Sequence, residues 1–105
     1  MTSGEFLNNL PTKVNPDVLT GMSTLFHFEI SGDGGGQYTV KVADNKISVE
    51  EGLNGEPKCT VRAENKDFVN VVTGKTNAMM AVLSQKIKMT NQGEMIKYAK
   101  IFGLL

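Results

Sequence analysis

The spacing of apolar residues changes twice along the chain, and each change predicts a different kind of element. Up to about residue 22 the apolar side chains recur at helical spacing, and between residues 24 and 63 they alternate with polar ones. After residue 65 helical spacing returns, except over the alternating residues 86–90. Alternation with a period of two is typical of strands with one buried face, whereas recurrence every three or four residues is typical of amphipathic helices. The pattern predicts two helices, four strands, two helices, a fifth strand and a last helix.

The alternating part divides into four short strands. They are predicted at residues 24–30, 37–42, 46–50 and 59–63, and a fifth strand is predicted at 86–90. The glycine-rich segment 31–36 and the pair Asp44-Asn45 are typical of tight turns, and a longer glycine-containing loop, 51–57, precedes the fourth strand. We therefore expect the first four strands to form an antiparallel meander, apolar on one face and solvated on the other.

The helical parts have recognisable start and stop signals. Pro11 is expected to end the first helix because it lacks a backbone N–H group. The last helix is predicted over Gly93–Leu105, with Met95, Ala99 and Phe102 on one stripe and an apolar surface wider than one contact with a core needs. The three helices that lie between the first and the last one are expected to be capped by asparagines, at Asn15, Asn65 and Asn77.

This order of elements predicts an α+β fold. Its five-stranded, mainly antiparallel sheet is expected to be covered on one face by about five helices. The chain has 105 residues, which is the size of one domain, so residues 1–105 are expected to form a single unit.

Composition and charge exclude several classes of protein. Eleven basic and eleven acidic residues leave no net charge, whereas a nucleic-acid binder normally has a basic excess. One cysteine and one histidine exclude an internal disulfide, multi-cysteine zinc sites and two-histidine metal sites, so no metal or other cofactor is expected. The sequence has neither an apolar run near 18 residues nor a signal peptide pattern, so a cytoplasmic location is expected.

No group in the sequence is well placed for catalysis, and no catalytic residue is expected. His27 is predicted to point away from the apolar face of its strand, at the surface or at an edge. Cys59 is predicted to point inward without a neighbouring base, where a thiol is unreactive. The glycines of residues 32–36 precede a strand, and a phosphate loop would precede a helix, so they indicate a hairpin.

Methionines are concentrated in the last third of the chain. Met79, Met80, Met89 and Met95 are four of the six methionines. Methionine fills irregular gaps in cores, and it also suits surfaces that accept ligands of different shapes, so both interpretations stay open. Since one sheet face and several helices supply many inward apolar side chains, a cavity between the two layers is expected.

Seven short stretches follow one another in a recognisable order: Phe26–Gly32, Gly34–Val40, Cys59–Val61, Asp67-Phe68, Gly74-Lys75, Ala78–Met80 and Lys86–Lys88. Together they resemble the sterol carrier protein 2 (SCP2) domain, a family of lipid-transfer domains. The resemblance extends from about Phe6 to Leu105, with departures in the turns, where Gln85 and Thr90 stand in place of frequent glycines. It implies a hydrophobic tunnel between sheet and helices and a carrier that binds fatty acids, fatty acyl-CoA, sterols or phospholipids without chemistry of its own.

The sequence therefore predicts a non-enzymatic lipid carrier. The alternative is a protein interaction or dimerisation module whose cavity is filled or vestigial. A homodimer and transient contact with a membrane also stay open. The last helix is the predicted gate, and Lys75, Lys86 and Lys88 are either cations for an acyl-CoA head or parts of a solvated face. The predicted lipid-binding residues are Phe26, Phe28, Val40, Val42, Ile47, Val49, Val61, Phe68, Val72, Met79, Met80, Leu83, Ile96, Ala99 and Phe102.

Overall fold

The computed structural model describes residues 1–102 and confirms the predicted α+β architecture. A sheet of five strands has helices against one face, in the predicted order along the chain. The elements are α1 (Ser3–Lys13), a 3₁₀ helix (Pro16–Leu19), β1 (Thr24–Ser31), β2 (Gly36–Ala43), β3 (Lys46–Glu51), β4 (Cys59–Glu64), α2 (Asn65–Val72), α3 (Ala78–Leu83), β5 (Ile87–Met89) and α4 (Gln92–Tyr98).

The order of strands in the sheet is β3-β2-β1-β4-β5. β1, β2 and β3 form the predicted antiparallel hairpins, and Asp44 and Asn45 adopt the positive φ angles of 53° and 60° that a tight two-residue turn requires. The prediction that β4 continues the meander is wrong, because β4 pairs with β1 in parallel and not with β3. A parallel neighbour needs a crossover connection, which the loop between Glu51 and Cys59 supplies.

This crossover loop lies against the outer face of the sheet. Thr39 Oγ1 donates a hydrogen bond to the Gly52 carbonyl over 2.7 Å and accepts one from the Asn54 N–H over 2.9 Å. The ring of His27 is 2.8 Å from the Asn54 carbonyl through Nε2. His27 does point away from the apolar face, but the prediction that it lies at the surface or at an edge is wrong, because the loop buries it.

The apolar core lies between the sheet and the helices and has an aromatic centre. The ring of Phe102 lies 5.1 Å from that of Phe26 and 5.3 Å from that of Phe28, measured between centroids. Phe68 meets Phe28 edge to face at 5.7 Å, so rings from a strand, a helix and the segment after α4 pack together.

Two helix starts are capped as predicted, and a third differs. The side chains of Asn15 and Asn77 accept hydrogen bonds from the first turns that follow them. Asn65 is instead the first residue of α2, with Glu64 as its N-cap. The Asn65 Oδ1 atom accepts hydrogen bonds from the backbone N–H of Ser3 over 2.8 Å and from its hydroxyl over 2.6 Å, which joins α2 to the start of α1.

Both end helices differ in length from the prediction. α1 continues through Pro11 to Lys13, because a proline near the end of a helix removes just one hydrogen bond of its last turns. α4 begins at Gln92, where Asn91 is its N-cap, and gives way to a turn after Tyr98. The rest of the predicted terminal helix, residues 103–105, lies outside the described residues.

Candidate ligand-binding cavity

A small, partly enclosed cavity of about 20 Å³ lies between the sheet and α2, α3 and α4. Apolar side chains form the whole of its wall, and no polar atom faces it. A space of this size is about that of one water molecule, which would find no hydrogen-bond partner there. The residues around it are Phe28, Val61, Phe68, Val71, Ala78, Val82, Ile87, Met89, Met95 and Phe102.

The structure places most of the predicted binding residues inside the protein. Phe28, Val61, Phe68 and Phe102 surround the cavity itself. The others of this group belong to the core around it: Phe26, Val40, Val42, Ile47 and Ala99 are buried, and Val49 and Val72 are half-buried. The cavity is therefore one local part of the larger apolar layer that the sequence predicted.

Four of the predicted residues point outward, and the expectation that they face the interior is wrong. Met79, Met80, Leu83 and Ile96 are 61–71% exposed. In α3 the inward positions are taken by Ala78, Ala81 and Val82, and successive residues of a helix are rotated by about 100°, so 79, 80 and 83 lie on the opposite side. In α4, Met95 and Tyr98 face inward, which turns Ile96 to the solvent.

Six residues around the cavity were not predicted to bind a ligand. Val71, Ala78, Val82, Ile87, Met89 and Met95 complete its wall. Two signals in the sequence pointed to some of them. Ala78 and Val82 are four positions apart and so lie on one side of their helix, and Met95 belongs to the same stripe as Phe102.

Phe102 forms one side of the cavity and belongs to a segment near the end of the chain. Its ring is 1% exposed, lies against Phe26 and Phe28, and forms part of the cavity wall. The preceding turn is held to the core by Tyr98, whose hydroxyl donates a hydrogen bond to the Ser23 carbonyl over 3.2 Å. Phe102 therefore belongs to a segment that pairs with no strand of the sheet.

The two groups considered for catalysis lie on opposite faces of the sheet. His27 points to the outer face, and Cys59 is fully buried on the inner face. Burial raises the pKa of the Cys59 thiol above its ordinary value of 9.0. Within residues 1–102 no group of three or more histidine, cysteine or acidic side chains is positioned to hold a metal ion.

A second, open hollow of about 650 Å³ lies on the outer face of the sheet. Lys86 and Lys88 contribute to its wall beside Arg62, which is 3.2 Å from a carboxylate oxygen of Glu29. Lys88 on β5 is the direct partner of Arg62 on β4. Both side chains therefore lie on the face of the sheet that is turned away from the apolar cavity. This arrangement favours the prediction that Lys86 and Lys88 belong to a solvated face.

No helix within residues 1–102 combines the length and the apolar character that crossing a membrane requires.

Solved structures with the same fold belong to proteins of different kinds. The palmitated SCP2L2 from Aedes aegypti superposes with a TM-score of 0.77 at 18% identity, over 97% of this chain and 95% of that one. Sterol Carrier Protein 2 from Yarrowia lipolytica gives 0.71 at 14% identity, over 93% and 84%. The sec-alkylsulfatase Pisa1 from Pseudomonas sp. gives 0.79 at 18% identity, but this chain spans just 16% of its length.

Comparison with families shows membership directly. Among curated protein sequences none matches the chain significantly. The model of the SCP-2 sterol transfer family matches residues 5–105, which is almost the whole chain. The chain therefore belongs to the SCP-2 sterol transfer family.

Proposed function

We propose that this protein is a non-enzymatic carrier that holds the apolar part of a fatty acid, fatty acyl-CoA, sterol or phospholipid between its sheet and α2–α4. The observation that carries the proposal is the wholly apolar cavity, one side of which is formed by Phe102 from the segment after α4. Palmitate is the first ligand to test, because the similar SCP2L2 from Aedes aegypti is palmitated.

The cavity must expand to accept such a ligand. Its volume of about 20 Å³ is far below the roughly 300–1,000 Å³ of ordinary ligand pockets. A sixteen-carbon chain gains on the order of 10 kcal/mol when it leaves water, at about 0.8 kcal/mol for each buried CH₂ group. Exposing one phenylalanine costs about 1.5–3 kcal/mol, which is smaller than this gross gain before the entropic cost of binding is subtracted.

We therefore propose that the turn after α4, which contains Phe102, moves aside to admit the ligand. When Phe102 leaves, its space next to Phe26 and Phe28 joins the cavity beside Phe68 and Met95. These aromatic and methionine side chains then form the wall against the lipid. Val40, Val42 and Ile47, on β2 and β3, stay predicted contacts for a ligand that extends further along the core.

Mass measurement on the protein as purified tests the proposal. Native mass spectrometry should show an added mass, and organic extraction should recover it as a fatty acid, a sterol or a phospholipid. A bare protein mass, together with no uptake of a fluorescent fatty acid afterwards, would contradict the proposal and favour the interaction module.

A pair of substitutions in α2 locates the site. Val71 is buried in the cavity wall, whereas Val69 of the same helix is half-buried and outside it. Val71→Phe should weaken binding of the fluorescent fatty acid at least tenfold because its ring occupies the cavity. Val69→Phe is the matched control and should bind as the unmodified protein does; equal binding by both variants would place the ligand elsewhere.

We assign no reaction to the protein. The residues considered for catalysis face opposite sides of the sheet, and a carrier needs neither of them. The cytoplasmic location stays a prediction from the sequence.

A further inference from the structure

Two side chains attach α4 to the start of β1. The Thr24 hydroxyl donates a hydrogen bond to the Glu94 carboxylate over 2.6 Å, and the Tyr98 hydroxyl donates one to the Ser23 carbonyl over 3.2 Å. Glu94 and Tyr98 are four positions apart, so they lie on one side of the helix, and both side chains are nearly buried. The two bonds hold the first and the last turn of α4 against the same short segment of chain.

The N-cap of α4 supplies a third attachment. The side-chain oxygen of Asn91 accepts a hydrogen bond from the Glu94 N–H over 3.1 Å, and its side-chain nitrogen donates one to the Lys58 carbonyl over 3.2 Å. Lys58 directly precedes β4, which is the neighbour of β1 in the sheet. Polar contacts therefore fix α4 to the starts of two adjacent strands, in addition to the burial of its apolar side.

The four residues after α4 are attached in a different way. Among residues 99–102, the hydrogen bonds that backbone N–H groups donate go to the carbonyls of Ile96 and Tyr98, which belong to α4 itself. Within the described part of the chain no hydrogen bond or ion pair joins residues 99–102 to the sheet or to another helix. The burial of their apolar side chains is what holds them in place.

These two kinds of attachment give two movements of different cost. Lifting α4 from the sheet breaks its polar bonds and exposes Met95 and Tyr98 in addition to Phe102. Moving residues 99–102 exposes their own side chains and breaks at most the turn bonds that they make to α4. The smaller movement is therefore the cheaper way to take Phe102 out of the core.

We infer that α4 stays on the sheet when a ligand enters, and that the chain bends directly after Tyr98. Glu94 and Tyr98 are then positioning residues, which keep Met95 in the cavity wall while residues 99–102 move outward with Phe102. The part that this hinge plays in ligand uptake rests on the proposed function. The separate opening of residues 99–102 is a property of the empty protein as well.

Hydrogen exchange of the ligand-free protein tests the hinge by itself. The amides of Ile101 and Phe102, which bond to the Tyr98 carbonyl, should exchange about tenfold faster than that of Met95, which bonds to the Asn91 carbonyl. Low urea should speed exchange at Met95 more than at Ile101 and Phe102, because a local opening exposes little surface. Equal rates with an equal dependence on urea would show that α4 and the turn open as one unit, and would overturn the inference.

Removal of single hydroxyl groups tests the two polar bonds. Tyr98→Phe keeps the ring and should speed exchange of the α4 amides about fivefold, and Thr24→Val should speed it about tenfold because its bond has a charged acceptor. The matched controls are Tyr38→Phe on β2 and Thr60→Val on β4, whose hydroxyls do not bond to α4. Both controls should leave exchange in α4 unchanged, and equal acceleration by test and control variants would contradict the anchoring.

The rate at which the protein takes up a fluorescent analogue of palmitate shows which contacts break on entry. Ile101→Ala weakens the burial of the turn and should raise this rate about tenfold, whereas Tyr98→Phe should leave it unchanged. Leu10→Ala, at a buried position of α1, controls for a general loss of stability and should also leave it unchanged. An increase for Tyr98→Phe as large as that for Ile101→Ala would show that α4 lifts with the turn, and would overturn the inference.

The two kinds of measurement separate the hinge from the carrier function. No uptake by any variant, with residues 99–102 opening apart from α4 in hydrogen exchange, would contradict the carrier and leave the hinge intact. Uptake of the palmitate analogue, with α4 and residues 99–102 opening as one unit, would do the reverse.

Discussion

The two ends of the sheet are built differently. At one end β1, β2 and β3 pair over six to eight residues each, and the eleven-residue α1 packs on β2 and β3 with Leu7 and Leu10 buried. At the other end β5 has three residues, α3 has six and α4 has seven, and the apolar cavity lies among them. We call these the α1 end and the cavity end.

The difference indicates a division of roles within one small fold. Long paired strands and the longest helix give the α1 end extensive hydrogen-bonded and buried contacts. Short elements around a cavity lose less when they shift, and regions that bind ligands are commonly drawn from the less stable parts of a protein. We therefore expect the cavity end to move while the α1 end keeps its structure.

The largest expected effects on stability come from truncating one buried side chain at each end. Leu7→Ala should lower the free energy of unfolding by about 2–5 kcal/mol, because Leu7 is fully buried on the inner side of α1. Met95→Ala should cost about 2 kcal/mol, at the low end of that range, because the short α4 can settle into the space. Urea denaturation gives both values.

The same pair sharpens the comparison through ligand binding. Met95→Ala enlarges the cavity and should strengthen palmitate binding, whereas Leu7→Ala should leave the affinity of the folded protein unchanged. If Met95→Ala were the more destabilising variant and left palmitate binding unchanged, the two ends would not differ as described.

The next effect in size concerns the contact between the two ends. Asn65→Ala removes the acceptor of two hydrogen bonds from Ser3, whose backbone N–H is buried, and should lower the free energy of unfolding by about 1–3 kcal/mol. Asn77→Ala removes an exposed cap of α3 and should cost about 1 kcal/mol.

Hydrogen exchange distinguishes the two asparagine variants. Asn65→Ala should speed exchange in α1 as well as in α2, whereas Asn77→Ala should speed it at the cavity end alone. Faster exchange in α1 for both variants would contradict the separation of the ends.

The pH dependence of stability should show the buried thiol of Cys59 at the start of β4. Its pKa is raised by burial, so the folded protein favours the protonated thiol. The stabilisation from this group is present below the pKa of the unfolded thiol and is lost as the pH rises through the higher pKa of the folded one. We expect the stability advantage over Cys59→Ala to shrink above about pH 9; a constant difference from pH 7 to pH 10 would contradict the burial.

The smallest expected effect is at the exposed pair between Arg62 and Glu29. Their side chains are 58% and 30% exposed, so Arg62→Ala should change the free energy of unfolding by less than about 1 kcal/mol. High salt should abolish this change in the free energy of unfolding, and Glu29→Gln should have an equally small effect. A loss of several kcal/mol would mean that the outer hollow contributes to stability as the core does.

The sequence predicted the α1 end better than the cavity end, for physical reasons. Alternation in β1, β2 and β3 identifies both their limits and their buried faces, and Asp44-Asn45 identifies a turn. The partner of β4 was predicted wrongly, because alternation indicates a strand and its buried face but not its neighbour, and the pairing with β1 depends on the crossover loop.

The cavity end also contains the residues whose direction was predicted wrongly. A helix without polar residues has no pattern to show which side faces inward, so Met79, Met80 and Leu83 could not be told from Ala78 and Val82. The stripe of Met95, Ala99 and Phe102 did predict buried positions after Asn91, where Lys97 and Lys100 mark the exposed side.

The central claim is that a lipid chain enters the space around Phe102, and contacts with bound palmitate test it most directly. With ¹³C-labelled palmitate, nuclear Overhauser effects should join its methylene groups to the methyl groups of Val71 and Met95 and to the ring of Phe28. The resonances of Phe102 should shift most on binding, and those of Leu7 least. Contacts confined to Met79, Met80 and Leu83, with Phe102 unchanged, would show that the lipid stays outside the protein and would contradict the account.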